Sequence, residues 1–152
     1  MNQKEQKLSA SLLNELLANS SVLLFQTLNY HWNIVGPEFH DYHLLFDKQY
    51  NEIFKHMDVL AERVRAVGGV AHGSMSALIK AAALKEDTGK VPTPKQMITK
   101  LYEQHEYQVA QYRDVIKTLE KDTHDYGSIN MLEELLMKHE KTLWVLRSLL
   151  GR

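Results

Sequence analysis

Four residues with metal-binding side chains lie at symmetric spacing in the second quarter of the chain. His43 and Asp47 are four residues apart, and Asp58 and Glu62 are also four apart. The two outer residues, His43 and Glu62, are centred between residues 52 and 53, and so are the two inner residues, Asp47 and Asp58. Imidazole and carboxylate are ligands for iron, manganese and zinc. If this segment is a helix, an antiparallel copy of it brings Asp47 close to the copy's Asp58, and His43 close to its Glu62.

A single helix cannot bring both pairs to one ion. Asp47 and Asp58 are 11 residues apart, which is roughly 16 Å along a helix axis. Two chains related by a two-fold axis can form the site, and this symmetry is the commonest in oligomers. The alternative is an ordinary solvated face, because His43, Asp47 and Asp58 each follow an apolar residue and so lie about 100° around the helix from the core.

A further histidine precedes this segment. His31 and His43 are each six residues from Pro37, so an antiparallel turn at Gly36-Pro37 places both imidazoles at about the same height. The predicted site then takes its ligands from two subunits: His31, His43 and Asp47 from one, and Asp58 and Glu62 from its partner. Two imidazoles and three carboxylates suit Fe²⁺. Alternatively, His31 is a helix-end histidine whose ring is simply hydrogen-bonded.

The elements that position these residues are four spans free of proline and glycine. They are residues 1–35, 38–67, 95–126 and 128–150. Each has an apolar stripe of helical period, which predicts an all-α four-helix bundle. Thr93-Pro94 and Ser128 are typical helix starts. The links between the first two and the last two spans are short. The middle link, residues 68–94, is long and contains a predicted short helix at 75–84.

One long crossover between two hairpins is the ferritin-like connectivity, within a single domain of residues 1–152. Di-iron sites inside such bundles use Glu-x-x-His motifs. No histidine of this chain has a glutamate three residues before it. The sequence therefore argues against an intrasubunit di-iron site and favours the interface.

Composition narrows the class of protein. The chain has 152 residues, no cysteine and a net charge of −1. Disulfides and thiolate metal sites are excluded, and no bulk charge favours nucleic acid or lipid. We expect no stretch long and apolar enough to span a membrane. The polar N-terminus does not resemble a signal peptide, so we expect a cytoplasmic protein.

Several motifs resemble the Dps family of mini-ferritins, over nearly the whole chain. The motifs are residues 29–33 (NYHWN), 43–47 (HLLFD), 58–65 (DVLAERVR), 138–141 (KHEK) and 144–147 (WVLR). The resemblance implies a dodecameric shell that oxidises Fe²⁺, preferentially with hydrogen peroxide rather than oxygen, and stores the ferric product. It implies a ferroxidase centre made by His31, His43, Asp47, Asp58 and Glu62 across a two-fold axis.

The resemblance also suggests roles for three other residues. Trp32 matches a family tryptophan near the iron site, where it could intercept stray oxidising equivalents, or it is a packing anchor. Asp122 and Asp125 fall near the region of the family's acidic three-fold pores, or they belong to a solvated loop. Asn130 stands where relatives commonly have an aspartate. The other histidines have no role readable from sequence, namely His40, His56, His72, His105, His124 and His139.

DNA binding is the second activity of the family. Members that condense DNA use a lysine-rich tail, because several cations are needed to neutralise phosphates. The N-terminus here offers only Lys4 and Lys7, with Glu5 between them. We therefore expect weak or no DNA binding at physiological salt. Two rivals to a ferroxidase are a DNA-coating protein with secondary iron chemistry and a helical bundle with no metal role.

Overall fold

The computed structural model describes residues 1–152 and contains helices without strands. The predicted all-α bundle with a short crossover helix is confirmed. The helices are α1 (Gln3–Asn33), α2 (Phe39–Ala66), α3 (Met75–Ala81), α4 (Pro94–Asp122) and α5 (Tyr126–Leu149). Helices α1 and α2 form one hairpin, α4 and α5 form the other, and α1 also packs on α4 and α3.

Local capping explains where the helices begin. As predicted, Thr93 caps α4, with Pro94 in the first turn, and its hydroxyl accepts a hydrogen bond from the Gln96 amide. The predicted start of the last helix at Ser128 is two residues late. Asp125 is the cap of α5, and its carboxylate accepts a hydrogen bond from the Ser128 amide. Ser128 is therefore the partner of the cap rather than the cap itself.

The crossover is held by polar side chains of α1. The Asn14 amide donates to the Val70 carbonyl at 3.0 Å and accepts from the His72 amide at 3.0 Å. The side-chain oxygen of Asn19 accepts a hydrogen bond from the main-chain amide of Ala83 at 2.8 Å. These bonds satisfy main-chain groups that no helix partners. The short helix ends at Ala81, before the predicted boundary at residue 84, because the chain turns extended at Ala82.

Polar residues divide the hydrophobic core into two parts. One apolar cluster, which includes Leu13, Leu60, Tyr112 and Leu132, fills one end of the bundle. The other end is filled by a cluster that includes Tyr30, Phe46, Ile53, Met97 and Leu101. Between them the four long helices α1, α2, α4 and α5 each contribute buried polar side chains. We call this region the polar layer: Ser20, His56, His105, Gln108 and His139.

Helix α1 overturns one expectation from the sequence. By length and composition, this helix is apolar enough to cross a membrane. Most of its apolar stretch is buried inside the bundle. The expectation that no stretch is so long and apolar is therefore wrong. The apolar character has a physical reason within the fold, because α1 packs against α2, α3 and α4.

Candidate metal centre at the α1–α2 hairpin

The hairpin between α1 and α2 brings His31 and His43 together. Gly36 turns the chain with a φ of 130°, a conformation that favours glycine. The two imidazole rings stack with centroids 3.9 Å apart and planes inclined by 8°. His31 Nδ1 lies 2.8 Å from the main-chain oxygen of His43, and His43 Nδ1 lies 2.7 Å from the main-chain oxygen of His31. Each histidine therefore holds the other.

These reciprocal contacts fix the tautomer of both rings. A carbonyl oxygen only accepts hydrogen bonds, so Nδ1 must carry the proton in each imidazole. The lone pair of the neutral ring is then on Nε2, and neither Nε2 makes a hydrogen bond within the chain. Metal-binding histidines use this arrangement, in which the second nitrogen is anchored and orients the ring. Both Nε2 atoms are thus left without a hydrogen-bond partner in the chain and have lone pairs available to a ligand.

Asp47 lies one turn after His43 on the same face of α2. Its carboxylate accepts a hydrogen bond from the Tyr50 hydroxyl at 3.0 Å. The Tyr50 ring in turn meets the His31 ring edge-on, with centroids 5.2 Å apart. The hydrogen bond to Asp47 raises the pKa of Tyr50, so its proton stays in place at neutral pH. Tyr50 therefore orients one predicted ligand and packs against another.

Asp58 and Glu62 lie farther along α2, and both are exposed. Neither takes part in an ion pair within the chain. No group of three or more His, Asp and Glu side chains in one chain is arranged to hold a metal ion as it stands. The five predicted ligands thus fall into two separate groups, one at His31, His43 and Asp47 and the other at Asp58 and Glu62.

Large apolar side chains accompany the carboxylates on the outer face of α2. Phe54 is 61% exposed, and Leu44 and Val59 are also exposed. Phe54 is seven residues after Asp47 and four before Asp58, so the three share one face of the helix. Exposed apolar side chains grouped on one face mark surfaces that bind other proteins.

The three residues with suggested secondary roles have different environments. Trp32 is 64% exposed, so within one chain it is not a packing anchor. Asp122 is exposed at the end of α4. Asp125 is only 2% exposed, and its carboxylate lies 2.5 Å from the Arg63 guanidinium. The predicted pore role of Asp125 therefore conflicts with its position, because one carboxylate oxygen both caps α5 and pairs with Arg63 of α2, and the other is buried.

Two sets of residues escaped the sequence reasoning. No role was predicted for Tyr50, although its position three residues after Asp47 places it within reach of that carboxylate. His56, His105 and His139 were given no role, yet all three are buried. Their signal in the sequence was a polar residue inside an otherwise apolar stripe, which could have predicted the polar layer.

Comparisons with known proteins agree with this architecture. Residues 10–152 match the ferritin-like domain family. The chain is 32% identical to a DNA protection during starvation protein of Brevibacillus brevis over 95% of this chain and 96% of that protein. It is 38% identical to an uncharacterized low temperature-induced protein of Nostoc sp., over 91% of this chain and 77% of that protein.

Solved structures give the same assignment. The Dps protein of Vibrio cholerae superposes with a TM-score of 0.94 at 30% identity, over 99% of this chain and 93% of that chain. It is described as a member of a broad superfamily of ferritin-like diiron-carboxylate proteins. The Dps protein of Bacillus brevis superposes with a TM-score of 0.93 at 31% identity, over 99% of both chains. With its hairpin, crossover and helix order, this chain belongs to the Dps family of ferritin-like proteins.

Proposed function

We propose that this protein oxidises Fe²⁺ at centres shared between two subunits and stores the ferric product inside a dodecameric shell. Each centre takes His31, His43 and Asp47 from one subunit, together with Asp58 and Glu62 of the partner subunit. The function is protective, because it removes Fe²⁺ and peroxide at once. We expect it to act in the cytoplasm.

The observation that carries this proposal is the stacked pair of His31 and His43. Their protons on Nδ1 are committed to main-chain carbonyls, which leaves two Nε2 atoms as ready ligands beside Asp47. The pair alone is an incomplete site for iron. Asp58 and Glu62 are exposed carboxylates without ion-pair partners in the chain, and the palindromic spacing about residues 52 and 53 lets a partner subunit supply them.

The ligand set suits the oxidation step. Anionic oxygen ligands stabilise Fe³⁺ more than Fe²⁺, because the more highly charged ion gains more from each carboxylate. Hydrogen peroxide accepts two electrons when its O–O bond breaks, one from each of two Fe²⁺ ions, and forms two hydroxide ions. Removing both electrons together avoids the release of a hydroxyl radical. The chain has no cysteine, so it lacks the side chain that peroxide oxidises most readily.

Two exposed residues fit supporting roles in this function. Trp32 adjoins His31 in sequence and is 64% exposed, so in an assembled pair of subunits it can lie near the centre and donate an electron to a stray oxidant. Asp122 is exposed at the end of α4 and can line a pore through which Fe²⁺ enters. Asp125 is not part of that pore, because Arg63 occupies its carboxylate.

The decisive test is complementation between two inactive variants. His43→Ala and Asp58→Ala each remove one ligand from every centre, so each variant alone is expected to lose fast peroxide-dependent oxidation of Fe²⁺. Co-expressed in equal amounts, they form hybrid pairs that carry both changes in one centre and neither in the other. Half of randomly formed pairs are hybrids, so about a quarter of all centres are intact.

The initial rate of Fe²⁺ oxidation measures the outcome. Recovery of about a quarter of the unmodified rate supports a centre shared across a two-fold axis. A mixture as inactive as its parents would place all ligands within one chain and refute the shared centre. Full activity in either parent would show that the substituted residue is not a ligand. Size-exclusion chromatography of each sample checks that the shell assembles.

The second candidate function is protection of DNA by direct binding. It is favoured by the name of the Brevibacillus brevis relative, a DNA protection during starvation protein. Lys4 and Lys7 both lie within α1, so neither belongs to a free tail. We expect no gel shift with the assembled protein at physiological salt, and a shift only when salt is lowered. A clear shift at physiological salt would favour the DNA-coating function.

A further inference from the structure

The polar layer of the bundle contains three buried histidines from three helices. His56 belongs to α2, His105 to α4 and His139 to α5. Their exposed fractions are 3%, 2% and 1%. None of them belongs to the His31–His43 pair or to the outer face of α2. Histidines so deeply buried need partners for their ring nitrogens, since an unpaired buried polar group costs stability.

The three imidazoles lie close together. His105 Nδ1 and His139 Nδ1 are 3.0 Å apart. The ring of His139 lies 5.0 Å from the ring of His56 and 5.2 Å from the ring of His105, centroid to centroid. Three imidazoles bound to one tetrahedral ion, each through a nitrogen about 2 Å from it, have centroids roughly 5 Å apart. The two ring separations measured from His139 are therefore close to those in a three-histidine metal site.

Most nitrogens of the cluster have no partner within the chain. Both nitrogens of His56, Nε2 of His105 and Nε2 of His139 are buried without a hydrogen bond, and so is the nearby Tyr112 hydroxyl. Each unpaired buried group destabilises the folded protein, because it has lost its hydrogen bonds to water. Such groups in a native core indicate an occupant that pairs with them, either water or an ion. The core of a helix bundle is also where facing helices build metal sites.

We propose that His56, His105 and His139 form a second metal site, inside the bundle, that binds a singly charged copper ion. This site is separate from iron oxidation at the subunit interface and does not depend on it. The imidazoles supply three neutral nitrogen ligands. As the rings stand they do not surround one point, so binding replaces the His105–His139 hydrogen bond and turns the rings about their Cβ–Cγ bonds.

The charge of the surrounding residues determines which metal ion the three histidines would bind. The polar layer contains no carboxylate to neutralise a cation, and Lys138 places a positive charge near His56. The cost of burying an ion rises with the square of its charge, so a dication is strongly disfavoured. Imidazole suits zinc, copper, iron and nickel. Copper is the member of this group with a common singly charged state.

Near this cluster a cavity of about 100 Å³ lies between α2 and α5, and Gln49, Glu52 and Lys138 are among its lining residues. Lys138 thus borders both the cavity and the environment of His56.

The test measures Cu⁺ binding to the assembled protein without oxygen, in competition with the chromogenic chelator bicinchoninate. A His31→Ala/His43→Ala background removes the nitrogen ligands at the interface. We expect one Cu⁺ per chain to be taken from the chelator. Adding His139→Leu should lower the affinity by more than the roughly 10- to 100-fold that loss of a supporting residue costs. The matched control, His72→Ala, removes a histidine outside the layer and should change nothing.

Two further measurements keep the proposal open to refutation if His139→Leu perturbs folding. Circular dichroism of the metal-free variants shows whether the helices are intact, and His56→Gln provides a second change at the site. X-ray absorption of the loaded background protein should show about three nitrogen neighbours of copper. The proposal is wrong if no Cu⁺ is taken from the chelator, if folded His139→Leu binds as tightly as the background, or if copper has sulfur neighbours.

Discussion

At the scale of single residues, the candidate centre depends on hydrogen bonds that aim its ligands. The main-chain oxygens of His31 and His43 hold the two rings, and the Tyr50 hydroxyl holds Asp47. A ligand that is already aimed loses less conformational freedom when the ion arrives. The residues that do the aiming should therefore matter to iron oxidation, although none of their aiming atoms touches iron.

Tyr50→Phe tests this supporting role. The phenylalanine keeps the ring that packs against His31 but cannot donate to Asp47. We expect iron affinity or oxidation rate to fall by roughly 10- to 100-fold, as for other residues that orient metal ligands. The measurement is the oxidation rate as a function of Fe²⁺ concentration. Tyr126→Phe, at an exposed tyrosine, is the control, and equal rates for both variants would contradict the role of Tyr50.

At the scale of helices, one partly buried ion pair joins α2 to the start of α5. Arg63 reaches Asp125 at 2.5 Å and Ser128 at 2.8 Å. Gly127 leaves room for this pair, because a Cβ at this position would lie 2.6 Å from the Arg63 guanidinium and would displace it. The same Asp125 carboxylate caps α5. A single side chain therefore sets both the position and the first turn of the last helix.

Asp125→Asn should destabilise the fold by about 1–3 kcal/mol, the cost of weakening a charged buried hydrogen bond. The amide oxygen can still cap α5, so the loss reports mainly on the bond to Arg63. Scanning calorimetry of the assembled protein measures it. Asp122→Asn, an exposed change of the same type, should leave the unfolding temperature unchanged. If both variants behave alike, the ion pair contributes little.

The same pair predicts a loss of stability in acid. Burial raises the pKa of Asp125, but hydrogen bonds, among them those from Ser128 and Arg63, outweigh burial and hold the pKa below its ordinary value of 3.8. The contribution of this carboxylate is therefore present above pH 3.8 and is lost as the pH falls through the lower pKa of the folded state. The stability gap between unmodified protein and Asp125→Asn should narrow below pH 3.8, which unfolding at a series of pH values would show.

Helical periodicity was enough to predict the bundle, the crossover and the pairing of His31 with His43, because these follow from spacing along the chain. The start of α5 was predicted at the wrong residue because Asp and Ser are both common helix caps. Only the hydrogen bond from the Ser128 amide to the Asp125 carboxylate identifies Asp125 as the cap. The burial of Asp125 was missed because Arg63 lies 62 residues away in sequence. The clustering of His56, His105 and His139 needs contacts among three helices, which no single stripe reveals.

At the scale of the whole molecule, the isolated chain leaves an apolar and acidic face uncovered. Phe54 and Leu44 are exposed on α2, and Trp32 is exposed near the end of α1. The two-fold axis proposed between residues 52 and 53 passes next to Phe54. Two copies of this side chain would then lie close to each other across the axis, where burial stabilises the pair.

Phe54→Glu tests the proposed axis. Two carboxylates brought together at a two-fold contact repel each other, so we expect the subunit pairs to separate and fast iron oxidation to fall with them. Analytical ultracentrifugation measures the assembly, and circular dichroism should show intact helices. Val70→Glu is the control, because Val70 is 76% exposed in the crossover. A fully assembled and active Phe54→Glu protein would mean that the axis lies elsewhere.

The reciprocal contact between His31 and His43 has a consequence for how the two positions evolve. Each imidazole is held by the other residue's main-chain oxygen, and the rings stack on one another, so loss of either side chain also frees the remaining ring. The effects of two such losses are then far from additive: after the first substitution, the second removes little that is still useful. Selection on iron oxidation would therefore act on the two codons as one unit, and descendants of this gene are expected to keep both histidines or to lose both.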